Sequence, residues 1–269
     1  MAVELVFEKK SATYLKLRDS WLMIKRSTRH IVRNTDQLLG AFFQPVMFIL
    51  LFTAVFGPSI SKALPPGVSY INFLMAGIIV QTVAFGSTVT AVSVCSDLKN
   101  GIVDRFRSLP MSNLAVLNGH VVSDLLRNTI STVVMLLVGL VIGFRAQANF
   151  VEWLKIAGIL LLFTFAFSWL MAILGIMAKS IEAVQWLTFV IIFPLTFASS
   201  AFVPTEGMPK GLETFAANQP ITQVIAAVRA LILGTPVGNH ALLAVIWSLA
   251  ILIFAVPVAA YMFRHKTSS

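Results

Sequence analysis

The chain has 269 residues, 58% of them hydrophobic and only 12% charged, too few charges to cover a water-facing surface around so much apolar mass. The net charge of +9 does not indicate nucleic acid, because eight of the 20 Lys and Arg precede residue 34 and the others flank apolar runs, as in anchoring against anionic lipid. A single cysteine, Cys95, excludes a disulfide framework and any multi-cysteine metal site.

Residues 1–36 are mostly polar, and the apolar run that follows them is too long for a signal peptide. Between Thr13 and Thr35, Leu17, Trp21, Ile24 and Ile31 fall near one helical stripe among lysines and arginines. This predicts a basic amphipathic helix lying in the cytoplasmic interface, the alternative being a water-soluble arm.

Crossing a hydrocarbon core of about 30 Å takes roughly 20 apolar helical residues. Stretches of that kind predict six spans within a transmembrane domain over 37–266, at about 38–56, 70–94, 121–144, 154–178, 184–203 and 241–263. Gly57-Pro58 is expected to stop the first span, and Asp124 and Arg127 fall in the first turns of the third. With both termini inside, the cytoplasmic side carries 15 cations, and the outer side carries Lys62, Arg145, Lys155, Lys210 and Arg229. The expected fold is therefore an all-α, multi-pass protein of the cell's inner (plasma) membrane with both termini cytoplasmic.

Two connections carry more than linker composition. The segment Asp97 to Ser112 (DLKNGIVDRFRSLPMS) is short, charged and cytoplasmic, yet places Ile102, Val103, Phe106 and Leu109 on one helical face, with Pro110 ending the helix. Such a face needs the bilayer or a partner protein to bury it. The outer stretch from Pro204 to Asn239 includes Leu212, Phe215, Ile221, Val224, Ile225, Val228, Leu231 and Ile232. Its four prolines cut it into pieces too short to span, which predicts re-entrant helices buried against protein.

Signs of other chemistry are sparse. There is no G-x-x-x-x-G-K-[ST] phosphate loop and no H-E-x-x-H, and His30, His120, His240 and His265 lie scattered near span ends. Asp124 and Arg127, three residues apart, can neutralise each other, so an ion-coupled transporter lacks an evident engine. A lipid-modifying enzyme would have to use Asp124 with His120, one turn away.

Taken in order, these features resemble the type-2 ABC exporter permeases, nearest the daunorubicin-resistance-type branch, with lipo-oligosaccharide exporters close by. The resemblance covers nearly the whole chain and rests on two stretches: Gly101-Ile102-Val103-Asp104-Arg105-Phe106-Arg107-Ser108-Leu109-Pro110-Met111-Ser112, and Phe202-Val203-Pro204 with Met208-Pro209, Asn218-Gln219-Pro220 and Ala227-Val228-Arg229-Ala230-Leu231. It implies six helices per subunit, two permease subunits (a second copy or a paralogue) and two ABC ATPase subunits, which hold ATP and Mg; no cofactor is expected in this chain. It makes the cytoplasmic segment a coupling helix seated in the ATPase, where Asp97, Lys99, Asp104, Arg105 and Arg107 can pair at a rim while Phe106 and Leu109 bury, with Gly101 and Pro110 also in the segment. ATP binding would then move that helix and open an export path at the subunit interface. Candidate path residues are Gln44, Phe48, Phe85, Thr88, Phe193, Thr196 and Phe197, each of which could equally serve helix or lipid packing. The implied function is export of a hydrophobic or amphipathic cargo (drug, antibiotic or lipid-like), with lipo-oligosaccharide or polysaccharide export as the alternative.

Overall fold

The computed structural model describes residues 21–25, 35–62, 64, 67–102, 113–205 and 208–266, with backbone only for 35–42 and 113–114; no strand occurs among them. The helices are α1 (Thr35–Ile60), α2 (Tyr70–Gly86), α3 (Thr88–Lys99), α4 (Asn113–Ile142), α5 (Phe150–Met177), α6 (Ile181–Phe197), α7 (Lys210–Asn218), α8 (Pro220–Leu233) and α9 (His240–Lys266). Five stretches are long and apolar enough to cross a membrane: α1 from Phe43, α2 and α3 together, α4 from Ala115, α5, and α9.

Several boundaries differ from the sequence expectation, each for a local reason. Helix α1 runs past Gly57-Pro58 to Ile60, since a proline in the last turns removes only one donor. Ser61 then closes the end, with its amide and hydroxyl both donating to the Gly57 carbonyl at 3.0 and 2.6 Å. Helix α4 starts at Asn113 rather than 121, because Ala115, Val116 and Leu117 are buried against Met23, Trp169 and Phe263 instead of forming a loop. Helix α5 starts at Phe150 through a capping box. The Asn149 side chain accepts from the Glu152 amide at 3.0 Å, and the Glu152 carboxylate accepts from the Asn149 amide at 2.7 Å.

The fifth expected span is the most altered. Helix α6 has 17 residues and ends at Phe197, so 198–203 is not helical. Its last carbonyls are capped from a distance: the Gln219 amide donates to Leu195 at 2.6 Å and to Ala198 at 2.7 Å. The chain after it is held from both sides. Tyr70 donates its hydroxyl to the Phe202 carbonyl at 3.1 Å. Arg229 donates to the carbonyls of Phe73 at 3.0 Å and Ser200 at 2.5 Å, with its guanidinium 3.6 Å from the centre of the Phe73 ring. Gly77 permits this approach, since a Cβ there would overlap the Ala201 backbone.

Helix α5 is the centre of the bundle, packed against α9, α3, α4 and α8, while α1 packs on α2 and α4. Helix α8 is buried through Ile221, Val224, Ile225, Val228, Leu231 and Ile232, starts on Pro220 and ends at Gly234 in the left-handed conformation. Its neighbour α7 differs from expectation. Leu212 and Phe215 are exposed, so this helix turns apolar side chains outward rather than inward.

Elsewhere the exterior is apolar in helical register. On α4 the exposed stripe is Leu126, Ile130, Val133, Leu137 and Leu140; on α9 it is Leu242, Ile246, Leu249 and Ile253. Stripes of that size would be costly in water and are the normal surface in lipid. The chain is embedded in a membrane. Of the expected N-terminal amphipathic helix, residues 21–25 are described and helical. Met23, not the expected stripe residue Trp21, docks on α4 beside Gly119, and Trp21 is exposed.

Candidate functional site

The polar centre of the molecule forms where the second span breaks. Helices α2 and α3 meet at Ser87, where the Thr90 amide donates to the Ser87 carbonyl at 3.0 Å, three residues back instead of four. The Gly86 carbonyl is thereby released from the helix ladder and accepts a short hydrogen bond from the Arg127 guanidinium on α4. In an apolar interior a freed carbonyl needs such a partner.

Arg127 also pairs with Asp124 at 2.5 Å, both side chains almost wholly buried. The second Asp124 oxygen accepts from the Ser168 hydroxyl of α5 at 2.6 Å. One ion pair therefore ties α4 to the break in the second span and to the central helix. Because α4 begins at Asn113, the pair lies near the middle of this 30-residue helix, roughly 14 Å beyond Ala115. A buried pair of this kind is tolerated because its charges cancel and both Asp124 oxygens accept a hydrogen bond.

The pair borders a cleft of about 180 Å³ lined by Gln44, Pro45 and Phe48 from α1, Gln81, Thr82, Phe85 and Gly86 from α2, Val89 from α3, and Arg127 and Ser131 from α4. Its lining combines the apolar Pro45, Phe48, Phe85 and Val89 with the polar Gln44, Gln81, Thr82, Arg127 and Ser131. An aromatic row leads away from it. Phe48 meets Phe202 with ring centres 6.1 Å apart, and Phe202 stacks on Phe52 at 4.4 Å and meets Phe197 at 4.9 Å. Phe197, Phe193 and Phe189 then follow along α6 at centroid spacings of 4.2 and 5.0 Å.

Of the residues proposed from sequence for a cargo path, Gln44, Phe48 and Phe85 line this cleft, and Phe193 and Phe197 belong to the aromatic row. Thr88 does not line it; its neighbour Val89 does. Thr196 is fully buried and donates to the Ile192 carbonyl at 2.8 Å. Gln81, Thr82, Asn128, Ser131 and Ser168 were not singled out from sequence. They are neutral polar residues inside apolar runs, and a search for intramembrane charge passes over them.

Asp97 is buried, with its carboxylate 3.0 Å from the His120 imidazole. His120 therefore faces α3, and the Asp124–His120 dyad considered for a lipid-modifying enzyme is not formed. Gly101 closes α3 with φ +62, the conformation that suits glycine. Asp104, Arg105, Phe106, Arg107, Leu109 and Pro110 lie outside the described residues. Among the described residues no group of three or more His, Cys, Asp or Glu side chains is placed to hold a metal ion.

Comparison with known proteins agrees with this architecture. Over 232 residues, 86% of this chain and 81% of the relative, the sequence is 30% identical to the daunorubicin resistance ABC transporter permease protein DrrB1 of Streptomyces coeruleorubidus. Over 268 residues, covering 96% of this chain and 92% of the relative, it is 25% identical to the "Probable doxorubicin resistance ABC transporter permease protein DrrC" of Mycobacterium tuberculosis. The ABC-2 type transporter family pattern matches residues 18–233. With an all-helical, membrane-embedded architecture and a match over most of its length, the chain belongs to the ABC-2 type transporter family and is a transport permease, not a catalytic enzyme.

Proposed function

We propose that this permease is the membrane half of an ATP-driven exporter in the inner (plasma) membrane, moving a hydrophobic or amphipathic cargo of drug, antibiotic or lipid-like character. The observation that carries this reading is the cleft, lined by Phe48 and Phe85 together with polar side chains and joined through Phe202 to an aromatic row on α6. A free polysaccharide would find few hydrogen-bonding partners along that row, whereas a flat apolar molecule finds stacking surfaces. The drug-resistance names of the two relatives point the same way.

In this reading α6, roughly 25 Å long, is the fifth of six spans, α7 and α8 are re-entrant on the outer side, and both termini are cytoplasmic. A partner ATPase holds ATP and Mg, a second permease copy or a paralogue completes the path, and lipid surrounds both. The segment from Gly101 to Pro110 couples the ATPase to α3 and α4, with Phe106 as its buried anchor. Asp97 acts inside the chain, fixing the base of that segment through His120.

The test is ATP-dependent efflux from proteoliposomes containing the permease and its cognate ATPase, with Phe106→Asp as the probe. A buried aromatic anchor contributes about 2 kcal/mol or more at an interface. The substitution should abolish both ATPase pull-down and efflux while leaving membrane insertion normal. Full ATPase binding and wild-type efflux by Phe106→Asp would remove the coupling role; absence of ATP-driven efflux by the wild-type pair would remove the exporter reading.

A further inference from the structure

The two halves of the second span are keyed to different parts of the bundle. Helix α2 packs on α8, α1 and α4, and 14 of its 17 residues are buried. Helix α3 packs on α5 and α6 as well as α4, and only 5 of its 12 residues are buried. Each half has its own close glycine contact: Gly77 of α2 meets the Ala201 backbone, and Gly175 of α5 meets the Ala91 backbone of α3. The joint at Ser87 therefore separates a deeply held half from a more open one. The open half ends at the buried Asp97 and at Gly101, where the cytoplasmic segment begins.

This joint has a simple alternative. No proline lies between Tyr70 and Lys99, so Gly86-Ser87 permits the break without enforcing it. In a continuous helix the Thr90 amide would donate to the Gly86 carbonyl, four residues back. Here it donates to Ser87, and Arg127 Nη2 takes its place at Gly86 while also holding Asp124. Moving one amide to the next carbonyl would straighten the span and leave Arg127 with Asp124. The joint also holds unmade hydrogen bonds. Thr90 Oγ1, Arg127 Nε and both polar atoms of Asn128, whose side chain lies against Gly86, are sealed from the surface without partners. Such groups raise the energy of the jointed arrangement and bring a second one closer to it.

We propose that Ser87 is a hinge in the second span and that Arg127 is its latch, a positioning residue that holds α3 in the jointed state. ATP binding to the partner ATPase, acting through the cytoplasmic segment, returns the Gly86 carbonyl to the Thr90 amide and straightens the span beside the cleft. The driving step rests on the exporter reading, whereas the latch is tested on the permease alone.

Gly86-Ser87 is the only Gly-Ser pair in the chain, so carbonyl-¹³C glycine combined with ¹⁵N serine selects one carbonyl. With arginine also ¹⁵N-labelled, solid-state NMR in lipid bilayers measures the dipolar coupling from that carbonyl to a guanidinium nitrogen. The permease alone should show this coupling. The complex with its ATPase should show it without nucleotide and lose it when a hydrolysis-deficient ATPase traps ATP. The double variant Asp124→Leu/Arg127→Met removes the latch without stranding a charge. Its Gly86 carbonyl, in the permease alone, should resonate where the ATP-bound wild type does. Efflux per ATP hydrolysed should fall at least about fivefold, the low end of ordinary coupling between sites. Gly86→Ala, whose Cβ would crowd Asn128 and Arg127 Nη2, keeps both charges and should lower the same ratio by a second route.

Absence of the dipolar coupling in the permease alone, or its persistence at full strength with ATP bound, overturns the proposal. So does a normal ratio of efflux to hydrolysis in both variants, the result expected if Arg127 only stabilises the fold. Efflux with an unchanged dipolar coupling leaves the exporter and removes the hinge. Loss of the coupling on ATP binding without efflux leaves the hinge and removes the exporter.

Discussion

Arg127 on α4 donates to the Gly86 carbonyl of α2, a group that is free because the helix tightens at Ser87. The same guanidinium holds Asp124, which holds Ser168 of α5. A discontinuity in one span is thus stabilised by an ion pair on the next, and the cleft lies beside the junction. The break and the pair are one structural unit, and disturbing either should disturb both.

Removing one charge of that pair strands the other in an apolar interior. Arg127→Met and Asp124→Leu should each destabilise by about 3–5 kcal/mol, and the double variant should recover much of that loss. Thermal unfolding in detergent of the two single variants and the double variant checks this. A double variant as unstable as the sum of the singles would show that the two residues act independently.

Three glycines should respond to alanine in different ways. A Cβ at Gly77 would overlap the Ala201 backbone, and one at Gly175 the Ala91 backbone, whereas Gly158 has open space around it. Gly77→Ala and Gly175→Ala should cost about 1–3 kcal/mol by overpacking. Gly158→Ala should stabilise by about 0.5–1 kcal/mol, since glycine is a poor residue for a helix interior. Melting temperatures of the three variants, compared side by side, decide the matter.

Arg229 holds the non-helical stretch 198–203 to α2 by donating to the carbonyls of Phe73, Ser200 and, at 3.5 Å, Ala201, and by packing on the Phe73 ring. Lysine cannot reproduce that fork, so Arg229→Lys should free the stretch even though the charge is kept. Hydrogen exchange at the amides of 199–203 and of α8 should rise well above wild type, while α5 stays protected. Unaltered exchange in those segments would assign their order to apolar packing alone.

Phe202 joins α6 to α1 by stacking on Phe52 and Phe197 and is nearly buried. Phe202→Ala should cost about 3–5 kcal/mol, as for other buried aromatic truncations. A double-mutant cycle with Phe52→Leu should give a coupling of about 0.5–1.5 kcal/mol, the range for aromatic pairs. A coupling near zero would mean that the rings share a cavity without interacting.

Sequence alone determined the solvent and the main traffic of the chain. Low charge density and runs near bilayer length gave a multi-pass helical protein, and the starts of α2 and α9 and the end of α5 fall within a residue of expectation, because apolar length is a local property. The cytoplasmic and outer motifs were legible in the same way, as patterns of neighbouring residues, and carried the resemblance to the family that the chain belongs to. What only tertiary structure decided was where the polar groups meet. Asp124 and Arg127 read as a self-neutralising pair on one helix face, but helix packing buries both against a carbonyl that a break 41 residues away has released. His120 lay one turn from Asp124 and bonds Asp97 instead. Ser131 and Asn128 carry no charge and no motif, and only helix packing buries them, Ser131 at the cleft and Asn128 beside Gly86, without a hydrogen-bond partner among the described residues. Burial and hydrogen-bond satisfaction depend on contacts distant in the chain, and no local pattern encodes them.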